Sequence, residues 1–189
     1  TAKSSLGAGG TQTAGLIFGG ATPAVQNSTE QYDGSSWTNL PGTLATARLA
    51  LGGSGNATAA LAFGGSAPGL STATEEYNEY SEPNAFLNIG QTWYNSTSKE
   101  FKYTNQTFSA SWASSGNLGT ARAGGGNSKN GTYNAVVHFG GYTPPGANAV
   151  NNVEHYDGSS WTGATSLPTA IRNNAGCGTQ TAALAVGGV

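Results

Sequence analysis

The chain has 189 residues, enough for a domain with a real core, but only 8% are charged, against about 25% in an average soluble domain. A net charge of −2 and seven scattered cations exclude a nucleic-acid surface, which needs clustered Lys and Arg to neutralise phosphates. The 30 glycines stand beside 4 Trp, 8 Tyr and 6 Phe, too many aromatics for a disordered tract.

The longest apolar runs, Ala59 to Phe63 and Ala182 to Val186, are far too short for a membrane-spanning helix. The chain begins at Thr1 rather than Met, which is expected of a processed protein or a segment of a longer one. Cys177 is the only cysteine, so neither an internal disulfide nor a cysteine-based zinc site is available. It is expected to be a buried small side chain, at the place that Ala8 holds earlier in the chain. Asn-x-Ser/Thr sequons occur at Asn27, Asn56, Asn95, Asn105 and Asn130. Chance supplies several in so Asn-, Ser- and Thr-rich a chain, and they matter only in a glycosylating host.

In chain order, the first distinctive stretch is Gly10 to Gly20, GTQTAGLIFGG, an apolar run closed by a Gly-Gly pair. It returns as GTQTAALAVGG from Gly178 to Gly188, with looser copies from Gly55 (GNATAALAFGG) and Gly131 (GTYNAVVHFGG). The pairs are Gly19-Gly20, Gly64-Gly65, Gly140-Gly141 and Gly187-Gly188, at steps of 45, 76 and 47 residues. Three further markers recur in one order: Tyr32, Tyr77 and Tyr156 in Glu-x-Tyr; then Trp37, Trp112 and Trp161; then Arg48, Arg122 and Arg172. A fixed period of this kind signals a repeat architecture. The repeats run over about 1–48, 49–122, 123–172 and a partial 173–189.

Within a repeat, four short strands are expected and no helical periodicity is present. Leu6 to Thr13 reads as the innermost strand. Ala14 to Gly20, apolar throughout, reads as a strand buried on both faces. A third strand ends at Glu30 to Tyr32, and Asp33-Gly34 predicts a type I′ hairpin turn into a fourth around Trp37. Pro41 and Gly42 end it. Tyr77 and Trp112 are 35 apart where Tyr32 and Trp37 are 5 apart, so the second repeat carries an insertion over 78–107.

Four strands per repeat, with Gly-Gly, Tyr, Trp and Arg at fixed steps, resemble a Kelch repeat over nearly the whole chain outside the insertion. The resemblance implies an all-β fold of four-stranded antiparallel blades, a β-propeller region spanning 1–189. The phrases TAR, GTQTAALA and YDGSSWT are similar to those of Kelch-like virion and tail-fibre proteins of marine bacteriophages. In such blades Trp and Tyr fill the space between neighbours. Arg48, Arg122 and Arg172 are expected either to pair with the Glu of Glu-x-Tyr in an adjacent blade or to form a ring of ligand-facing cations. Four inner strand pairs but only three outer pairs are visible, and propeller rings have about 4–8 blades. The expectation is that a longer polypeptide or a partner chain completes the fourth.

Gly90 to Phe101 of the insertion, GQTWYNSTSKEF, resembles a Gly-x-x-Trp-Tyr-Asn-x-Thr hairpin of phage tail and fibre proteins. Trp93, Tyr94, Phe101 and Tyr103 are its candidates for contact with another subunit or for stacking on a sugar. The alternative is packing on their own blade. No enzymatic constellation is apparent. His138 and His155 have no counterpart in other repeats, Asp33 and Asp157 belong to turns, and Glu75 and Glu76 sit in the Tyr marker. Gly124 to Gly126 lacks the Gly-Lys-Ser/Thr ending of a phosphate loop, and no Asp-x-Asp calcium loop occurs. Galactose oxidase, a Kelch-type enzyme, has a copper ligand set with no match here. The expectation is therefore a non-enzymatic structural and adhesive module without cofactor or metal, extracellular and in a virion. Its expected partners are subunits of the same assembly, including copies of itself, and host-surface glycans. A lectin-like bacterial propeller is the second reading.

Overall fold

The computed structural model describes residues 2–66, 68–81, 92–97, 99–103, 108–129, 132–144 and 148–189. They hold short strands and no helix. Unit I comprises β1 (Gly7–Gly10), β2 (Gly15–Phe18), β3 (Ala21–Thr22), β4 (Ala24–Val25), β5 (Thr29–Tyr32) and β6 (Trp37–Leu40). Unit II comprises β7 (Gly52–Gly55), β8 (Ala59–Phe63), β9 (Thr74–Ser81), β10 (Thr92–Asn95), β11 (Glu100–Tyr103) and β12 (Phe108–Ser115). Unit III comprises β13 (Gly126–Asn127), β14 (Val136–Phe139), β15 (Tyr142–Thr143), β16 (Asn148–Ala149), β17 (Val153–Tyr156) and β18 (Trp161–Ala164). Unit IV is β19 (Ala175–Thr179) and β20 (Ala182–Val186).

Each of the first three units is a four-stranded antiparallel sheet, in the orders β1-β2-β5-β6, β7-β8-β9-β12 and β13-β14-β17-β18, while β19 and β20 pair alone. The register is the same throughout. Gly7, Gly52, Gly126 and Ala175 oppose Phe18, Phe63, Phe139 and Val186. Tyr32, Tyr77 and Tyr156 oppose Trp37, Trp112 and Trp161. The insertion therefore lies between Tyr77 and Trp112. Its first residues do not leave the sheet: Asn78 to Ser81 lengthen the β9–β12 ladder, opposite Ser111 to Phe108. The small hairpins β3–β4 and β15–β16, each a two-pair ladder, join the second and third strands and add to the four strands expected per repeat.

The turn between third and fourth strands differs from the expected type I′. Four residues separate Tyr32 from Trp37, and Gly34 alone turns left-handed (φ 97°). The Asp33 carboxylate does the rest, accepting from the backbone N–H of Ser35 and Ser36 at 2.8 Å each. Asp157 repeats this arrangement with Ser159 and Ser160. These bonds favour the ionised form, holding Asp33 well below the usual carboxylate range and Asp157 at about 2.

The innermost strands stand side by side, β1 against β7, β7 against β13 and β13 against β19. They approach so closely that a Cβ on Gly53 would lie 2.6 Å from the backbone nitrogen of Ala8, which is why small residues crowd this part of each repeat. The core lies between sheets rather than within one. Leu16, Phe18, Leu44, Leu51, Ala60, Ala62 and Tyr77 form one cluster between units I and II. Leu61, Phe63, Leu118, Val136 and Tyr156 form another between units II and III. Among the described residues the units do not close into a ring.

Burial of the second strand follows from this stacking. In β8 and β14, each between two neighbours, nearly every residue is buried. In β2 only Leu16 and Phe18 are, and in β20 the side chains are largely exposed. Cys177 corrects the expectation made for it: it is exposed, and it opposes Leu184 as Gly9, not Ala8, opposes Leu16.

Candidate functional site

One contact scheme joins each sheet to the next. The Trp112 indole packs edge-on against Phe18 at 4.8 Å, and its Nε1 donates to the Thr29 hydroxyl at 2.9 Å. Trp161 likewise packs on Phe63 at 4.8 Å and donates to Thr74 at 3.0 Å. Tyr77 and Tyr156 sit beside these tryptophans. The Tyr156 hydroxyl is hydrogen-bonded to Glu76 and Ser115, whereas the buried Tyr77 hydroxyl has no partner. The difference lies in the facing sheet: where unit II has Glu76 and Ser115, unit I has Gln31, turned to the Ala57 carbonyl, and Leu40. Burial, with Glu79 adding, pushes the Tyr77 pKa up to about 12.

A buried cation precedes each complete sheet and ties into its third strand. Arg48 pairs with Glu75 at 2.6 Å and also donates to the carbonyls of Gly64 and Ala73. Arg122 pairs with Glu154 and donates to the His138 carbonyl. Lys3 occupies the same place for unit I, 2.5 Å from Glu30, a role that the Arg marker did not reveal. Arg172 does not occupy it for unit IV. The Gly20 N–H donates to the carbonyl of Arg48 and the Gly65 N–H to that of Arg122, but the Gly141 N–H donates to that of Ile171. Arg172 instead exchanges two backbone bonds with Val189, as Leu49 does with Ser66. The one-residue slack in the Trp-to-Arg step hid this shift.

The Gly-Gly pairs close the second strands. Each residue of Gly19-Gly20, Gly64-Gly65, Gly140-Gly141 and Gly187-Gly188 has positive φ. In the first three pairs the second N–H reaches the carbonyl of the segment that leads into the next unit.

Two faces of the stack carry parts of this scheme without its counterpart. On unit I, Trp37 is 50% exposed and stacks only on Tyr32, at 5.1 Å. It borders a cleft of about 460 Å³ with Lys3, Gln26, Ser28, Glu30 and Asn39. On unit IV, Leu184 and Val186, the counterparts of Leu16 and Phe18, are exposed.

The candidate hairpin is formed by β10 and β11. Tyr94 opposes Phe101 with ring centroids 5.3 Å apart, and both rings are open to solvent, Phe101 at 80%. Asn95 caps the turn, its carboxamide oxygen accepting from the Thr97 N–H at 3.0 Å. The backbone places Trp93 opposite Lys102 and Tyr103 opposite Thr92. The side chains of Trp93 and Tyr103 lie outside the described residues, as do residues 82–91 and 104–107 and the sequons' Asn105 and Asn130.

Two buried polar groups lie elsewhere. His138 rests against Phe63 at 5.0 Å, and its Nδ1 is 2.9 Å from the Gly126 carbonyl oxygen. Burial, reinforced by Arg122, holds its pKa well below 6.5. The unfolded chain then takes up a proton that the folded chain refuses, so stability falls as pH drops below about 6.5, by at most about 1.4 kcal/mol per pH unit. Denaturant titrations between pH 7.5 and 5 should show this loss, and His138→Ala should flatten it while lowering stability at pH 7.5.

Asn174 is 8% exposed, and neither Oδ1 nor Nδ2 has a hydrogen-bond partner. It stands where Leu6 and Leu51 stand in units I and II. Leucine branches as asparagine does, so Asn174→Leu should raise unfolding stability by about 1–3 kcal/mol by removing two unsatisfied buried groups, measurable by urea titration.

Among the described residues no group of three His, Cys, Asp or Glu is placed to hold a metal ion. No helix there is long and apolar enough to cross a membrane. No protein-family model matches the chain, and no curated protein matches it in sequence.

Proposed function

We propose that this chain is a Kelch-like propeller segment that serves as a non-enzymatic structural and adhesive module of an extracellular assembly, most naturally a phage tail or fibre. The observation that carries this reading is the exposed Tyr94–Phe101 pair, set across a hairpin in the one large insertion into an otherwise regular stack. Aromatic rings held in register and open to water are suited to burial against a partner, since each offers large apolar area at little entropic cost. Repeated sheets with their core in the interfaces between them support the blade reading. The test is retention of the purified chain on assembled virions or on host cells. Tyr94→Ser with Phe101→Ser should lower retention at least about tenfold, the effect of losing roughly 1.4 kcal/mol, with thermal unfolding unchanged. Undiminished retention would remove the hairpin from the contact.

The cleft beside Trp37 favours a second reading, a glycan-binding propeller. A half-exposed indole flanked by Lys3, Glu30 and Asn39 offers a stacking surface with polar groups at its rim. Saturable binding on a glycan array, abolished by Trp37→Ala but not by the hairpin substitutions, would favour this reading.

A further inference from the structure

Ser5, Ala50, Gly124 and Asn173 all turn left-handed just ahead of the innermost strands. They are strung together across the units. Ala50 donates its N–H to the carbonyl of Ser5 at 2.8 Å, Gly124 to that of Ala50 at 3.3 Å, and Asn173 to that of Gly124 at 2.7 Å. The string sets the residues that follow, Leu6, Leu51, Gly125 and Asn174, at equivalent places in units I to IV. All four border one cavity of about 230 Å³, roughly the space of seven or eight waters in the liquid.

Two leucines and a glycine make the first three of these places apolar. Asn174 is the exception, 8% exposed with neither carboxamide atom satisfied. Its isolation does not come from an open face of the stack. A Cβ on Gly126 would lie 2.6 Å from its Nδ2, and one on Gly140 would lie 3.2 Å from its Oδ1, so the carboxamide is enclosed between units III and IV. A buried donor and acceptor without partners are costly to keep, and leucine, of nearly the same shape, serves units I and II. The cavity that Asn174 borders is where a partner can reach it.

The rest of the lining defines that partner. Asn127, 4% exposed, holds its Nδ2 on the Gly53 carbonyl at 2.6 Å, which leaves Oδ1 as its spare acceptor. Lys129, itself exposed, is the only charged residue among the described residues that line the cavity. Leu6 and Leu51 add an apolar wall. These features suit a small ring that carries hydroxyls, an apolar C–H face and a carboxylate. We propose that the cavity binds a single acidic sugar, its hydroxyls on Asn174 and Asn127, its carboxylate on Lys129 and its C–H face on the leucines. The site is distinct from the hairpin and from the cleft beside Trp37, and depends on neither.

Calorimetric titration of the 189-residue chain with glucuronate and galacturonate, with glucose and galactose as uncharged controls, tests this. One of the acids should bind saturably, at least about tenfold tighter than its neutral counterpart, the effect of one charged hydrogen bond. Asn174→Leu should weaken that acid at least about tenfold, although the variant unfolds at higher urea than the native chain. Lys129→Gln should bring the acid to the affinity of the neutral sugar and leave the neutral sugar unchanged. A native chain that binds none of the four saturably overturns the proposal. So does an Asn174→Leu chain, shown folded by its urea titration, that binds like the native one. Binding lost in Trp37→Ala but kept in Asn174→Leu also overturns it and assigns the sugar to the other cleft. The contact role of the hairpin is read separately, by virion retention with Tyr94→Ser and Phe101→Ser, so either proposal can fail without the other.

Discussion

Arg122→Ala is expected to destabilise the fold by about 3–5 kcal/mol, a large share of the roughly 5–15 kcal/mol that holds a typical domain together. Arg122 is fully buried, and its partner Glu154 is 6% exposed. Burial draws the guanidinium pKa down and Glu154 draws it back, so each charge is tolerated only because of the other. Glu154 also accepts from the Gly119 N–H at 2.7 Å, so its ionised form holds the segment between units II and III as well. Removing the arginine leaves a buried carboxylate with that single bond. Replacing both partners, Arg122→Met with Glu154→Gln, should recover most of the loss, because no charge is then buried and the Gln carbonyl oxygen can still accept from the Gly119 N–H. Urea titrations of the single and double variants decide the matter. A single variant costing under about 1 kcal/mol would mean that the pair is hydrated in solution.

Trp112→Ala should cost about 3–5 kcal/mol, whereas Trp37→Ala should cost about 1 kcal/mol or less. Both belong to the same marker, and each opposes the Tyr of its own repeat, Tyr77 and Tyr32. Trp112 fills the space between units I and II, touching Phe18 and Tyr77 and donating to Thr29. Its loss opens a cavity that the flanking β-sheets cannot collapse into. Trp37 is half in solvent, and among the described residues Tyr32 is its aromatic contact. Comparing the two in the isolated chain measures what a neighbouring sheet contributes. Equal losses would show that the face bearing Trp37 is covered in solution.

That contrast also marks the limit of what could be read from the sequence. The six residues from Tyr32 to Trp37 and from Tyr156 to Trp161 are identical, yet one Trp is half exposed and the other packs on Phe63. Local pattern specifies strand, turn and register, while burial is decided by the adjacent sheet. The four-stranded repeats, their order and the insertion point were therefore legible from glycines and aromatics at fixed steps. Lys3 was not, because a Lys in the place of an Arg breaks the marker without breaking the ion pair. Ile171 was not, because a Trp-to-Arg step of ten or eleven residues accommodates a one-residue shift. The aromatics of the insertion could be singled out as unlike the repeats, but the pairing of Tyr94 with Phe101 depended on a turn register that its polar residues leave open.

The unequal treatment of the two tyrosine hydroxyls has a bearing on how such a chain finds its native arrangement. Near-identical repeats risk docking out of order during folding, which traps multidomain and repeat chains. Here the surfaces are not interchangeable. Were unit III to dock on unit I, the Tyr156 hydroxyl would meet Leu40 and Gln31 in place of Ser115 and Glu76, exchanging a hydroxyl and a carboxylate for a single carboxamide already turned to the Ala57 carbonyl. The Tyr77 hydroxyl, by contrast, has no partner in its native place, so unit II is held on unit I by apolar packing and the Trp112–Thr29 bond instead. The Tyr156 hydroxyl therefore discriminates between otherwise similar neighbours, favouring unit II over unit I by up to about 1–3 kcal/mol, the cost of a buried polar group left without a partner.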